Sequence, residues 1–158
     1  MRRPEDTCIR RFRDTDVASV AQLIHRTIDA CYTGVYPPRA VQFFKEFHSP
    51  KGIRERSQKG DILVIEQRGE VIGTGAVVDN EIYGVFVAPT AQGRGHGKDI
   101  MHELETRARA RGVREVTLSV SLPSRKFYEH LGYEIREEAF IDVGQGERLD
   151  FWKATKRL

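Results

Sequence analysis

The segment from Val85 to Lys98 constrains this chain more than any other part of its sequence. A β-branched and aromatic strand runs into a proline, and a basic, glycine-rich turn follows it. Apolar residues then recur at helical spacing, at Ile100, Met101, Leu104 and Ala108. A glycine loop that joins a strand to a helix N-terminus presents backbone amides and the positive helix end to an anion. The segment therefore predicts a ligand that carries a pyrophosphate.

Two common phosphate loops do not fit this segment. A Walker loop needs Gly-Lys followed by Ser or Thr, but Asp99 follows Gly97-Lys98, and Gln92 stands where the first glycine belongs. A dinucleotide fingerprint needs a third glycine where Lys98 stands. The strands before the loop also read as a hairpin-linked meander instead of a β-α-β unit. Both nucleotide-binding interpretations are therefore disfavoured.

The order of predicted elements indicates one α+β domain over residues 1–158. A strand is followed by two helices, three strands, a helix, a strand, a short helix and two final strands. The second helix is predicted to end before Pro50, and the next strand to begin at Ile62. The sheet is expected to be mixed and mostly antiparallel through its first half.

Charge and composition exclude several classes of protein. The net charge of +3, from 26 basic and 23 acidic residues, is too small to indicate nucleic acid. The N-terminal arginines, Arg2 and Arg3 among them, flank an early strand and are interpreted as a solvated edge. The chain shows no apolar signal-peptide core and no run long enough for a membrane span. Cys8 and Cys31 suggest neither a disulfide framework nor a metal site, and no histidine spacing fits zinc. We therefore expect a cytoplasmic protein without a metal.

Two spacings together resemble the GNAT superfamily of N-acetyltransferases, which bind acetyl-coenzyme A. The first is Gln92-x-x-Gly95-x-Gly97 after a strand that ends in Val87-x-Pro89. The second is Ser124-x-x-Phe127-Tyr128-x-x-x-Gly132-Tyr133. The element order over the whole chain is similar as well. The resemblance implies a GNAT-like fold, with about four helices around a sheet that splays between its fourth and fifth strands.

The resemblance also implies which residues hold acetyl-coenzyme A. The loop residues assigned to the pyrophosphate are Gln92, Gly93, Arg94, Gly95, His96, Gly97 and Lys98. The edge at Phe86 and Val87 would pair with the pantetheine arm as an added strand does. Ser121 stands where the family often has asparagine, and Ser124 could reach the same region. Arg94 and Lys98 are either phosphate ligands or ordinary surface cations.

Tyr128 and Glu81 are the candidate catalytic residues. By resemblance, Tyr128 lies near the thioester sulfur as a general acid, although a tyrosine that closes the core beside Phe127 would look the same. Glu81 is a possible general base on the strand that leads into the loop, with a water relay or a merely structural carboxylate as alternatives. Regular alternation would put Glu81 on the same face as Tyr83, Val85 and Val87.

The expected reaction is direct attack by a primary amine on acetyl-coenzyme A in a ternary complex. The family's acceptor site implies Tyr32, Tyr36 and Asp142 as weak substrate candidates, since aromatic rings and carboxylates suit a cationic amine. A small-molecule amine, a peptide N-terminus and a protein lysine all stay open, as does an acyl group other than acetyl. The alternative function is a coenzyme-A-binding sensor with little catalysis. The chain is expected to be a monomer or a homodimer.

Overall fold

The computed structural model describes residues 6–158, in which seven strands form one mixed sheet. The strands are β1 (Thr7–Arg11), β2 (Asp61–Gln67), β3 (Glu70–Val78), β4 (Glu81–Val87), β5 (Glu115–Ser121), β6 (Glu134–Gly144) and β7 (Glu147–Arg157). They lie in the order β1-β2-β3-β4-β5-β7-β6, and only β4 and β5 pair in parallel. The predicted α+β architecture is confirmed. Arg2 and Arg3 lie outside the described residues.

Helices cover both faces of this sheet. They are α1 (Val17–Tyr32), α2 (Pro38–Phe47), α3 (Pro50–Lys59), α4 (His96–Ala110) and α5 (Arg125–His130). Ile24 and Ile28 of α1 are fully buried in one apolar cluster, and Ile100 and Leu104 of α4 are fully buried in another on the opposite face. Within residues 6–158, no helix is long and apolar enough to cross a membrane.

Helix α3 is an element that the sequence interpretation missed. The sequence predicts that Pro50 stops α2, but Pro50 is also the first residue of α3. Ser49 caps this helix, because its Oγ accepts a hydrogen bond from the Gly52 amide at 3.1 Å. The helix has no visible apolar period, since Ile53 is the only hydrophobic side chain that it buries. The Ser-Pro pair was therefore the one usable signal in the sequence.

The sheet splays between β4 and β5, as predicted. The two strands pair only where Glu81 lies opposite Thr117, and they diverge beyond that point. A bulge at Gly84, whose φ is +66°, interrupts β4 within the same stretch. The divergence opens a gap in the sheet beside the last residues of β4.

The bulge corrects the predicted side-chain alternation of β4. Ile82 and Val85 pack in the same apolar cluster beneath α4, although three positions separate them. Phe86 lies in the cluster on the α1 side. Glu81 therefore does not share a face with Val85 and Val87, because the extra residue at Gly84 reverses the alternation of the strand.

Candidate active site

The glycine loop delivers an open helix N-terminus to the end of β4. Gly93 and Gly95 have φ values of +78° and +86°, and Gly95 directly precedes α4. A Cβ added at either glycine would meet nothing within 4 Å, so the space over the loop is empty. The first amides of α4 have no acceptor within the helix. Together these features form an anion-binding cradle of backbone N–H groups.

Gln92 braces the loop against the strand that precedes it. Its side-chain amide donates to the carbonyl of Val87 at 3.0 Å and lies 3.8 Å from the sulfur of Cys31. The contact fixes the path of the turn between the end of β4 and Gly93. Gln92 therefore acts on the loop geometry through its side chain, a role that the sequence spacing alone did not reveal.

A cavity of about 500 Å³ lies over this loop and reaches into the gap between β4 and β5. We call it the loop cavity. Its lining includes Thr27, Cys31, Tyr32, Val85, Phe86, Val87, Ala91, Gln92, Gly93, Gly95, His96, Gly97, Lys98, Pro123, Ser124, Phe127 and Tyr128. Most of the predicted cofactor residues are therefore brought together. Arg94 is exposed and does not line this cavity, whereas His96 lines it and is buried at the first position of α4.

A second cavity, of about 380 Å³, lies on the other side of the same gap. We call it the aromatic cavity. Its lining includes Tyr32, Phe43, Phe44, Phe47, His48, Glu81, Ile82, Tyr83, Gly84, Val85, Phe86, Ser119, Ser121, Ser124, Tyr128, Ile141, Leu149 and Phe151. Its wall is mainly apolar. Glu81 and Ser121, both predicted from the sequence, belong to this cavity.

Five residues line both cavities and form the wall between them: Tyr32, Val85, Phe86, Ser124 and Tyr128. Tyr128 is only 8% exposed, and burial raises the pKa of its phenol well above the usual value. No residue of the described chain forms a hydrogen bond with its hydroxyl. A protonated phenol, with no hydrogen-bond partner within residues 6–158, thus stands where the two cavities meet.

A short chain of hydroxyl groups lies beside Tyr128. Tyr32 donates to Ser121 Oγ at 3.0 Å, and the Ser121 and Ser124 hydroxyls are 2.7 Å apart. Burial raises the pKa of Tyr32, so this phenol also stays protonated. Ser121, which replaces the family's frequent asparagine, therefore belongs to a network on the wall of the aromatic cavity.

Tyr36 and Asp142 are not brought to either cavity. The Tyr36 hydroxyl donates to the Asp150 carbonyl at 2.9 Å and accepts from the Leu122 amide at 2.8 Å. Asp142 accepts from the Gly144 amide at 2.9 Å and so closes the turn between β6 and β7. Both side chains therefore form hydrogen bonds with backbone groups. Of the three predicted substrate residues, only Tyr32 lines the aromatic cavity.

Two buried polar residues beside the aromatic cavity were missed by the sequence interpretation. His48 follows α2 and is 5% exposed, and Arg56 on α3 is 6% exposed. Arg56 Nη2 lies 3.0 Å from His48 Nδ1. Burial and the charge of Arg56 lower the pKa of His48 to about 3, so its imidazole is neutral at ordinary pH. No motif in the sequence marks either residue, and Arg56 lies on a helix that the sequence did not predict.

The start of α2 and Tyr36 just before it are tied to the β6–β7 hairpin, and both α2 and the hairpin contribute side chains to the aromatic cavity. Arg39 Nε donates to the Val143 carbonyl at 3.0 Å, and the Arg39 amide lies 3.3 Å from Glu147 Oε2. The Tyr36 hydroxyl adds its bond to the Asp150 carbonyl of β7 to the same connection. We refer to these contacts as the hairpin clamp.

Within residues 6–158, no cluster of His, Cys, Asp and Glu side chains is suited to a metal ion.

Comparison with known proteins agrees with this geometry. The family described as an acetyltransferase (GNAT) domain matches residues 30–145. The fold is similar to a GCN5-related N-acetyltransferase from Rhodopseudomonas palustris, with a TM-score of 0.88, 21% identity, and 98% and 97% of the two chains covered. It is also similar to the PaiA N-acetyltransferase from Thermoplasma acidophilum in complex with coenzyme A, with a TM-score of 0.78, 17% identity, and 96% and 99% covered. A ribosomal-protein-alanine N-acetyltransferase from Brucella melitensis has a TM-score of 0.72, 19% identity, and 96% and 99% covered.

Proposed function

The chain belongs to the GNAT family of acetyltransferases, and we propose that it transfers an acetyl group from acetyl-coenzyme A directly to a primary amine. The acyl donor would occupy the loop cavity and the amine the aromatic cavity. The observation that carries this proposal is the wall that the two cavities share at Tyr128, because a donor in one cavity and an amine in the other could then meet and react directly.

The loop cavity suits the pyrophosphate and pantetheine parts of the donor. The empty space over Gly93 and Gly95 lets a phosphate approach the amides at the start of α4. The gap beside Phe86 and Val87 exposes strand edge for an extended arm that carries amide groups. Gln92 already donates to the Val87 carbonyl, so the arm would share that oxygen with the protein.

The reaction poses a proton problem at the amine. A lysine-like amine has a pKa near 10.4, so holding it neutral at pH 7 costs about 4 to 5 kcal/mol. Glu81 lines the aromatic cavity at the point where β4 and β5 separate, and it is exposed enough to pass a proton to water. In our proposal Glu81 accepts a proton from the ammonium group, directly or through one water, which frees the nitrogen lone pair to attack the carbonyl carbon. The second proton that the nitrogen loses as the amide forms passes to water from the same exposed side.

Tyr128 acts on the other side of the reaction. As the carbon–sulfur bond breaks, the electron pair goes to sulfur, and the resulting thiolate corresponds to a thiol of pKa near 8.5. Because burial raises the pKa of Tyr128, complete proton transfer from this phenol to the thiolate is uphill. We therefore assign Tyr128 as a hydrogen-bond donor that stabilises charge on the leaving sulfur, which refines the general-acid role predicted from the sequence.

The direct test combines ligand binding with turnover. Acetyl-coenzyme A should raise the melting temperature of the protein, whereas ATP and NAD, which carry a pyrophosphate without pantetheine, should not. Thiol release from acetyl-coenzyme A should then depend on an added primary amine. Stabilisation without release for any amine would support a coenzyme-A sensor instead. Equal stabilisation by all three ligands would contradict the assigned donor.

Glu81→Gln should lower kcat/KM at pH 7 by about tenfold to a hundredfold. The deficit should shrink as the pH rises toward the pKa of the amine, because more acceptor is then already deprotonated. Glu115→Gln is a matched control, since Glu115 is an exposed carboxylate at the start of β5 and lines neither of the two cavities. A deficit that stays constant across the pH range would remove Glu81 from proton transfer.

A further inference from the structure

The lining of the aromatic cavity suits a ligand that has an apolar body and few charges. Phe43, Phe44 and Phe47 of α2 face the sheet residues Phe86 and Phe151 across it. Glu81 is the one carboxylate among the described residues that line the cavity. A single ammonium group is therefore accommodated, whereas a second cation would enter an apolar wall without a counter-charge.

His48 adds one fixed hydrogen-bond donor to this apolar wall. Its Nδ1 lies 3.0 Å from Arg56 Nη2, and a guanidinium has donors but no acceptor. Nδ1 must therefore accept, which leaves the ring hydrogen on Nε2. In the described part of the chain, nothing accepts a hydrogen bond from this Nε2–H group. His48 lines the aromatic cavity, and a ligand that displaced water from this donor without accepting from it would leave the donor unpaired, which is costly; a ligand oxygen at this position would therefore be favoured.

Arg56 strengthens the preference for an oxygen. This buried guanidinium has no carboxylate within 4.0 Å among residues 6–158. It lies over the rings of Tyr83, at 4.7 Å, and Phe47, at 5.6 Å. Its positive charge polarises His48 through the Nδ1 contact, which makes Nε2–H a stronger donor.

The hairpin clamp limits the size of what enters. Arg39 at the start of α2 and Tyr36 just before it bond to the β6–β7 hairpin, so the clamp holds together two elements that line the cavity through Phe43 and Phe44 on α2 and Ile141 and Leu149 on the hairpin. The volume of about 380 Å³ is in the range of small-molecule sites. An extended polypeptide that continued on both sides of a lysine would have to pass between these two joined elements.

We propose that the acceptor is a small primary amine with an apolar body that presents a carboxylate or carbonyl oxygen to the Nε2–H group of His48. This inference rests on the proposed acetyl transfer and names the acceptor class for it. The amine nitrogen would lie toward Glu81 and Tyr128, with the apolar body among the phenylalanine rings.

Three amines with the same phenyl group but different oxygen groups test whether the ligand oxygen contributes to recognition. Phenylalanine carries a carboxylate, phenylalaninamide a carbonyl, and 2-phenylethylamine neither. We expect kcat/KM to be about tenfold to a hundredfold higher for at least one of the first two amines than for the third. A preference for 1,4-diaminobutane over all three would overturn the proposal, since a dication does not suit the apolar wall.

His48→Asn tests the donor itself. The asparagine carbonyl can still accept from Arg56, but no donor remains where Nε2–H was. The preference for oxygen-bearing amines should fall at least about tenfold, while kcat/KM for 2-phenylethylamine changes less than about threefold. Comparing ratios between the two enzymes cancels the different basicities of the amines. His102→Asn, on an exposed position of α4, should leave the preference unchanged.

A second variant keeps the test decisive if His48→Asn does not fold. The double replacement His48→Phe with Arg56→Met removes the polar pair together and leaves no buried charge without a partner. It should lose the same preference. An unchanged preference in a folded variant would overturn the inference while leaving acetyl transfer intact. Absence of thiol release with every amine would instead overturn the proposed function, and the inference with it.

Discussion

Tyr128→Phe should lower kcat by about 10²- to 10³-fold, the range for removing one donor from a preorganised site. The KM for acetyl-coenzyme A should change little, because Tyr128 faces the thioester end of the donor and lies far from the phosphate loop in our proposal. Stability should hardly change, since no described residue bonds to the hydroxyl. Steady-state thiol release with varied donor concentration measures both constants.

Tyr133→Phe is the matched control for this variant. Tyr133 is also a buried tyrosine, and its ring centroid lies 5.7 Å from that of Tyr128. Its hydroxyl, however, donates to Glu105 at 2.7 Å and lines neither of the two cavities. Tyr133→Phe should lower the melting temperature and leave kcat within about threefold. Similar losses of kcat in both variants would show that Tyr128 supports only packing.

Gly95→Ala should raise the KM for acetyl-coenzyme A by about tenfold to a hundredfold. Gly95 has a φ of +86° directly before α4, and an added methyl group would project into the empty space over the loop. That methyl group would hold the pyrophosphate away from the first amides of the helix. The backbone strain of alanine at positive φ should also cost about 1 to 2 kcal/mol of stability.

Gly112→Ala separates the strain from the ligand effect. Gly112 lies beyond the other end of α4, with a φ of +84° and no atom within 4 Å of an added Cβ. The two variants therefore carry the same kind of strain in equally open space. Only Gly95→Ala should alter the KM for the donor. An equal KM in both variants would mean that the loop amides do not hold the donor phosphates.

The parts of the site that the sequence revealed are those encoded by local geometry. Glycine spacing from Gln92 to Gly97 and the Phe127-Tyr128 pair specify a turn and a helix start, and each depends on neighbours along the chain. The splay between β4 and β5 followed from the family resemblance that these motifs carry. The structure places most of these residues around one gap, as expected.

The parts that the sequence did not reveal depend on contacts between distant segments. Helix α3 has no periodic pattern of apolar residues. A single glycine at position 84 does not by itself predict the bulge that reverses the side-chain alternation of β4. His48 and Arg56 are eight positions apart and meet only because the chain turns after His48 to begin α3 at Pro50. Tyr36 and Asp142 were predicted to contact a substrate. Their side chains instead form hydrogen bonds with backbone groups, Tyr36 with a distant strand and Asp142 within its own turn.

The sequence by itself determined the phosphate loop, the order of the elements apart from α3, and the resemblance to an acetyl-transferring family. These features rest on backbone conformations that short stretches of residues specify, such as positive φ at glycine and helix initiation after it. Only the tertiary structure decided what faces the acceptor. Burial fixed the neutral state of His48, the protonated state of Tyr128 and the apolar wall around Glu81, because desolvation depends on every segment that excludes water from the site.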